Sequence, residues 1–232
     1  MLKIKEIAKK VPFVTSIYRI LRDRDTEQVF TNIYKDNTWG GKDSVSGVGS
    51  DDHQTRIIVK ELSTVFRDFE ISTLLDIPCG DFHWMKNVDL TDITYIGADI
   101  VETLISKNTE QYGNHDVHFQ KLNLIKDNLP KVDLIFCRDC LVHLSYVDVF
   151  QALGNICNTQ SKYILTTTFT ERKENHDIST GQWRTLNLEL PPIMLPNPLI
   201  LINEGCTEFD GAYKDKALGL WRIADIRKSL YG

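Results

Sequence analysis

The sequence predicts an α/β domain built on an open, mostly parallel sheet with helices on both faces, and three observations predict it. Between residues 73 and 168, short apolar runs alternate with stretches of helical periodicity. The run Leu74-Leu75-Asp76-Ile77-Pro78-Cys79-Gly80-Asp81-Phe82 stops on an acid and turns at a glycine, and Tyr95-Ile96-Gly97-Ala98-Asp99 ends on a second acid 19 residues after Gly80. Ligands of open α/β sheets sit outside the carboxyl ends of such strands. In the tail, Leu199-Ile200-Leu201-Ile202 and Leu218-Gly219-Leu220-Trp221-Arg222-Ile223 read as two strands joined by a short polar loop, a closing hairpin on the sheet.

The elements follow in order. A chain of 232 residues, 42% hydrophobic and 25% charged, holds one sizeable core, so one domain with an appendage is expected. Residues 1–24 carry seven basic and two acidic side chains, which leaves the rest at -10 within a formal charge of -5. That balance argues against a dedicated nucleic-acid binder, which shows a basic face or stripe. Leu2, Ile4, Ile7, Ala8, Val11, Val14, Ile17, Tyr18 and Leu21 fall near helical spacing, and Pro12 interrupts them, giving two short amphipathic helices. Their apolar faces are suited to dock on the domain or a partner chain, and their basic residues to contact an anionic membrane surface. Residues 1–33 are thus read as a basic amphipathic helical extension and 34–232 as the main domain.

Residues 34–55 form a long loop with Trp39-Gly40-Gly41 and Ser46-Gly47-Val48-Gly49-Ser50, and long ordered loops inside domains are usually functional. A helix over 54–69 carries Ile57, Ile58, Leu62, Val65, Phe66 and Phe69 on one face. Strands are expected at 73–77, 94–98, 117–121, 132–137 and 162–168, and helices near 82–88, at 102–111 and at 146–157. Pro191, Pro192, Pro196 and Pro198 punctuate an irregular stretch before the hairpin. The five cysteines sit mostly in apolar runs, the usage of a reduced intracellular protein. Cys137-Arg138-Asp139-Cys140 has no second pair or spaced histidines and is read as a chance CxxC. No apolar run has the length of a membrane span and the N-terminus lacks a signal-peptide core, so a cytoplasmic location is expected, with peripheral contact at the inner membrane face through residues 1–24.

A nicotinamide-binding turn would read G-x-G-x-x-G, each glycine answering to the pyrophosphate. Here the turn offers one glycine, and an acid stands where a diphosphate would approach. A ligand with a cationic centre and no phosphate fits better, and S-adenosylmethionine is one. On these residues the chain, from about residue 34 onward, resembles the class I S-adenosylmethionine-dependent methyltransferases. The resemblance implies a Rossmann-like three-layer sandwich with a seven-stranded, mostly parallel sheet and an antiparallel closing strand. Asp76 and Gly80 match the family's acid and glycine turn, whereas Pro78 and Phe82 stand where glycines are common. Asp99 matches the acid that binds the ribose hydroxyls, two acceptor oxygens facing two donors. Asn123 stands where an acid or amide reads the adenine edge, and residues 133–144 look like the fourth strand and the segment passing under the methionine part. The expected cofactor set is Trp39, Ser46, Gly47, Ser50, Asp76, Pro78, Gly80, Asp81, Phe82, Asp99, Ile100, Asn123, Leu124 and Arg138. Within it, Trp39 and the Ser46 to Ser50 loop form a lid whose amides and hydroxyls hold the methionine carboxylate.

Trp39-Gly40-Gly41, the Ser46 to Ser50 loop, Pro78-Cys79-Gly80-Asp81-Phe82-His83-Trp84-Met85 and Thr180-Gly181-Gln182-Trp183-Arg184-Thr185-Leu186-Asn187-Leu188 together look like a subgroup associated with surface-polysaccharide synthesis. That likeness implies a sugar hydroxyl of a surface glycan, or of its precursor, as methyl acceptor. A sugar hydroxyl is a poor nucleophile, so a general base or an activating divalent metal is expected. Asp139 and His143, four apart, would share one face if their segment were helical, the acid orienting the imidazole. His176 is the third catalytic candidate. His83, Asp177, Trp183 and Arg184 are expected to bind substrate, with Trp183 stacking on a sugar ring. A metal would need Asp139, His176 and Asp177 to converge. The rival readings are a methyltransferase of a small metabolite or protein side chain, a non-catalytic interaction subunit that kept the fold, and, disfavoured by the missing glycines, a nucleotide-binding oxidoreductase.

Overall fold

The structure, a computed structural model, describes residues 26–232; the expected basic helices within 2–21 lie outside the described residues. Helix α1 spans Thr26–Lys35 and α2 Asp52–Asp68. The strands are β1 Thr73–Asp76, β2 Thr94–Asp99, β3 Val117–Lys121, β4 Leu134–Cys137, β5 Tyr163–Phe169, β6 Ile200–Asn203 and β7 Lys216–Arg222. Between them run α3 Glu102–Tyr112 and α4 Tyr146–Asn158, and α5 Ile223–Tyr231 ends the chain. The seven strands make one sheet in the order β3-β2-β1-β4-β5-β7-β6. Pairings from β3 to β5 are parallel, and β7 lies antiparallel between β5 and β6. This is the Rossmann-like arrangement with an antiparallel closing strand.

The side-chain period of two divides the sheet into its faces. Leu75, Ile135, Cys137 and Ile164 point to one side, where α4 buries Val149, Ala152, Leu153 and Ile156 and α5 buries Ile223 and Ile226. Leu74, Leu134, Phe136 and Leu165 point to the other and meet Ile58, Leu62, Val65 and Phe66 of α2. All four residues of β4 are buried, as a central strand covered on both faces must be. Helix α4 starts where the Ser145 hydroxyl accepts from the Asp148 amide at 3.3 Å.

Three expectations are corrected. No α-helix forms over 82–88: Phe82 takes a left-handed backbone (φ 58), which seats its ring against Tyr95, Tyr112 and Phe119, and only a single 3-10 turn, Met85–Asn87, follows. The strand expected to reach residue 223 ends at Arg222 and gives way to α5, whose Ile223 and Ile226 share its buried side. The hairpin connection, 204–215, is long and holds a turn, Glu208–Gly211, in which Phe209 and Asp210 are left-handed. Helix α1 runs through position 33/34, where the appendage was expected to end, and Phe30 and Tyr34 project from it onto the carboxyl edge of the sheet.

Candidate functional site

A cleft open to solvent lies at the carboxyl ends of β1, β2 and β4. Its floor is the turn after β1. There the Cys79 amide donates to Ala98 O at 2.8 Å and the Gly80 amide to Asp99 Oδ2 at 3.2 Å, so the turn is fastened to the end of β2. Gly80 has φ 54, and a Cβ on it would come within 2.2 Å of Ser46 Oγ, so both conformation and space call for glycine. The second oxygen of Asp99 accepts from the Val101 amide at 2.9 Å.

Four acids line this space, and Asp76, Asp81 and Asp99 stand at its floor. Burial pushes Asp76 up to about 8, against the hydrogen bond that its Oδ2 accepts from Tyr95 Oη at 2.5 Å. Burial likewise raises Asp99 to about 6, against its backbone hydrogen bonds. A cationic ligand would reverse that tendency by favouring the charged carboxylates, whereas a phosphate would be repelled once they ionise. Asp81, which also lines the cleft, in addition holds the loop above it. Its carboxylate accepts from Ser44 Oγ at 2.9 Å, the Val45 amide at 3.0 Å and Ser46 Oγ at 3.5 Å, and so pins loop 44–50 over the cleft.

The loop is held at its other end too, where Arg138 Nη2 donates to Gly49 O at 2.8 Å. Trp39 stacks on His143 with ring centroids 4.5 Å apart and meets Phe30 of α1 at 6.1 Å, which closes the wall next to β4. Of the expected cofactor set, Trp39, Ser46, Ser50, Asp76, Pro78, Gly80, Asp81, Asp99, Ile100, Asn123, Leu124 and Arg138 line the cleft together. Gly47 caps the 3-10 turn Val48–Ser50 with φ 102 beside Trp39, and Phe82 faces the opposite apolar layer.

Asp139 and His143 both line the cleft, but the helical face they were expected to share is absent. Asp139 has φ 50, and the short 3-10 turn starts only at Leu141. The imidazole is oriented instead by a backbone carbonyl: His143 Nδ1 lies 2.9 Å from Gln182 O. Burial lowers its pKa to about 4, against that hydrogen bond and the nearby Asp139. A carbonyl only accepts, so in the neutral ring Nδ1 bears the hydrogen and Nε2 keeps its lone pair. Asp139 is tied to Lys216, with Nζ to Oδ2 at 2.6 Å. Burial opposes its ionisation, and the Lys216 ammonium and Arg138 guanidinium overcome this and hold it down at about 2. Glu204 completes a buried network, with its Oε2 2.7 Å from Arg138 Nη2 and 3.5 Å from Lys216 Nζ.

The remaining candidates stand apart. His83 Nε2 pairs with Asp52 at 3.0 Å outside the cleft. His176 is exposed, and Asp177 accepts from the Tyr146 and Ile178 amides at the start of α4. Arg184 is buried, donates to the carbonyls of Leu141 and Val142 and lies over the Tyr146 ring, so it braces the His143 segment from behind. Trp183 is half-exposed next to Phe169 and Tyr213. Asp139, His176 and Asp177 form no metal-ligating cluster; no group of three or more His, Cys, Asp or Glu among the described residues does. The pattern reading missed Phe30, Tyr34, Glu204 and Lys216. Charged residues flanking the two apolar strands of the tail were the available signal for the last pair.

No protein-family model and no curated protein matches the sequence. Among solved structures, the chain is similar to human N-acetylserotonin methyltransferase in complex with SAM, at TM-score 0.59 and 14% identity, over 85% of this chain and 59% of that one. The chain thus spans about 59% of that enzyme's length, and the likeness is one of fold. Two further matches are the magnesium protoporphyrin IX methyltransferase of Synechocystis PCC 6803 with bound SAH (TM-score 0.48, 16% identity, 63% of this chain and 74% of that one) and the amino pentose methyltransferase CalS10 of Micromonospora echinaspora with SAM (0.41, 12%, 47% and 48%).

Proposed function

We propose that the chain is an S-adenosylmethionine-dependent O-methyltransferase whose acceptor is a sugar hydroxyl of a surface glycan or of its precursor. The observation that carries the cofactor part is the cleft floor, where a glycine turn is bonded directly to the Asp99 carboxylate and carboxylates line the space that a diphosphate would need. The fold shared with a methyltransferase solved in complex with SAM supports it. When bound, S-adenosylmethionine supplies an electrophilic methyl on a sulfonium.

The chain's residues divide the rest of the work. Asp99 would offer acceptors to vicinal ribose hydroxyls, and Asn123 and Leu124 would hold the base. Trp39 and loop 44–50 close over the cleft and exclude water. His143 presents the unprotonated Nε2, which would take the proton of an acceptor hydroxyl placed beside it. Asp139, held ionised by Lys216, is the weaker base of the two. Its negative charge instead favours the imidazolium that His143 becomes. Much of the remaining catalysis is in-line positioning.

Calorimetry with S-adenosylhomocysteine on the full chain and on Asp99→Ala tests the cofactor, with binding by the wild type and its loss in the variant expected. Radiolabelled methyl transfer to purified surface glycans, followed by release of a methylated saccharide, tests the acceptor. Absence of cofactor binding overturns the reading and returns the fold-retaining interaction subunit. Cofactor binding with transfer only to small metabolites or protein side chains replaces the sugar. Membrane or partner-chain contact by residues 1–24, and the functional division at 33/34, are further parts of this proposal.

A further inference from the structure

Trp183, Tyr213 and Phe209 form an open aromatic surface that adjoins, through Gln182 and Lys216, the residues holding His143 and Asp139. Ring centroids lie 4.9 Å apart for Trp183 and Tyr213 and 5.5 Å for Phe209 and Tyr213, each pair meeting edge to face, so that the rings turn different faces outward, with buried Phe169 about 6 Å from the first two. Phe209 is 76% exposed and Trp183 42%. The arrangement is held rigidly. The Arg172 guanidinium lies over Tyr213 and Phe169 and is itself fixed by two hydrogen bonds to Asp215, at 2.6 and 3.0 Å.

Two features here carry a cost. A phenylalanine leaves most of its apolar surface in water, and Phe209 and Asp210 both take left-handed backbones (φ 50 and 55) that favour glycine. Strain of this kind persists where the surroundings enforce it and clusters at ligand sites. The place is also telling. Gln182, next to Trp183, orients His143, and Tyr213 O accepts from the amide of Lys216, whose ammonium holds Asp139. A chain of contacts therefore runs from one cleft-lining residue to the other by way of the aromatic surface.

We infer that these three side chains are a stacking platform for a saccharide acceptor, seating a pyranose ring next to the one that presents its hydroxyl to the cleft. This deepens the proposed function and rests on it. The chemistry selects the ligand class. A planar aromatic metabolite gains most in a slot that covers both its faces, whereas this surface is open and offers only one. A pyranose has one face of C–H groups for such a ring and a periphery of hydroxyls, and the chain neighbours of these rings and of Arg172, namely Gln182, Asp210, Lys214 and Glu171, are polar and exposed. Tyrosine and tryptophan suit ligands that are apolar on one side and wet on the other.

The test is binding of the labelled full chain, with S-adenosylhomocysteine present, to an immobilised panel of bacterial surface polysaccharides and their repeat-unit oligosaccharides. Wild type is expected to bind at least one of them, and Phe209→Ala and Trp183→Ala each to weaken that binding by about five- to tenfold. Both variants should keep the wild-type unfolding temperature within a few degrees and its calorimetric affinity for S-adenosylhomocysteine. Wild-type chain that binds S-adenosylhomocysteine but no saccharide overturns the platform alone, and so does saccharide binding unchanged in both variants. Failure to bind S-adenosylhomocysteine overturns the methyltransferase reading beneath it. A wild-type dimer that Phe209→Ala turns into monomer, with no change in saccharide binding, reassigns the surface to self-association.

Discussion

Lys216 Nζ lies 2.6 Å from Asp139 Oδ2 and thereby joins the first residue of the closing strand to the acid behind β4. Burial alone would lower the pKa of the ammonium, and the Asp139 and Glu204 carboxylates raise it instead. Lys216→Met leaves Asp139 beside a single cation, Arg138, with its own partner already in Glu204. Breaking a buried pair by removing one member is expected to cost about 3 kcal/mol, the low end of the usual range because Asp139 keeps some contact with water. A urea unfolding midpoint unchanged from wild type would show that the pair contributes nothing.

Asp76 makes a pH-dependent contribution of the opposite kind. Its folded pKa of about 8 stands above the ordinary carboxylate value of 3.8, so the native state binds a proton that the unfolded chain has released. That contribution is complete below about pH 4 and is lost as the pH rises through 8. Asp76→Asn removes the titration and keeps an oxygen for the Tyr95 hydroxyl. The ligand-free variant should therefore gain on wild type in unfolding temperature as the buffer goes from pH 5 to pH 8.5. Parallel curves for the two proteins across that span would mean that Asp76 is ionised throughout.

Much of this site could be read from residue order because its floor is local. Asp76, Gly80 and Asp99 are set by one strand, one turn and the next strand, and the apolar runs place the two acids at strand ends. The acceptor side is legible only in part, since it is assembled from distant segments. The partner of His143 is a backbone carbonyl 39 residues away, and that of Asp139 is a lysine 77 residues away; neither spacing carries a period. The supposed helical pairing of Asp139 with His143 failed because a left-handed residue interrupts the segment. The same conformation at Phe82 abolished the helix expected after the turn. A left-handed non-glycine residue is a tertiary effect that local propensity does not announce.

Gly80→Ala should undock the loop that covers the cleft. The added methyl meets Ser46 Oγ at 2.2 Å, and the φ of 54 costs about 1–2 kcal/mol for an L-residue. Gly211, at φ 79 with nothing within 4 Å of an added Cβ, supplies the control: Gly211→Ala carries the backbone strain without the collision. Limited proteolysis within 42–50 is expected to quicken for Gly80→Ala and to stay at the wild-type rate for Gly211→Ala. Equal rates in all three proteins would mean that the loop does not depend on this approach.

His143 gives the sharpest reading of the chemistry, because its pKa of about 4 lies far from the ordinary histidine value of 6.5. Below 4 the imidazole is protonated and Nε2 can accept nothing; above it the lone pair is available. With cofactor saturating, kcat/KM for the acceptor should therefore stay level from pH 8 down to about 5 and fall only as the pH nears 4. Saturation matters, since ionisation of Asp99 at about 6 would otherwise add a limb belonging to cofactor binding. His143→Ala should lower kcat by roughly 10²- to 10⁴-fold, the usual worth of a positioned base. A buried residue that merely packs against Trp39 would lose stability on the same change yet leave the pH profile of the residual activity untouched. An acid limb at 6.5 in the wild type, or one that survives in His143→Ala, would assign the proton to another group.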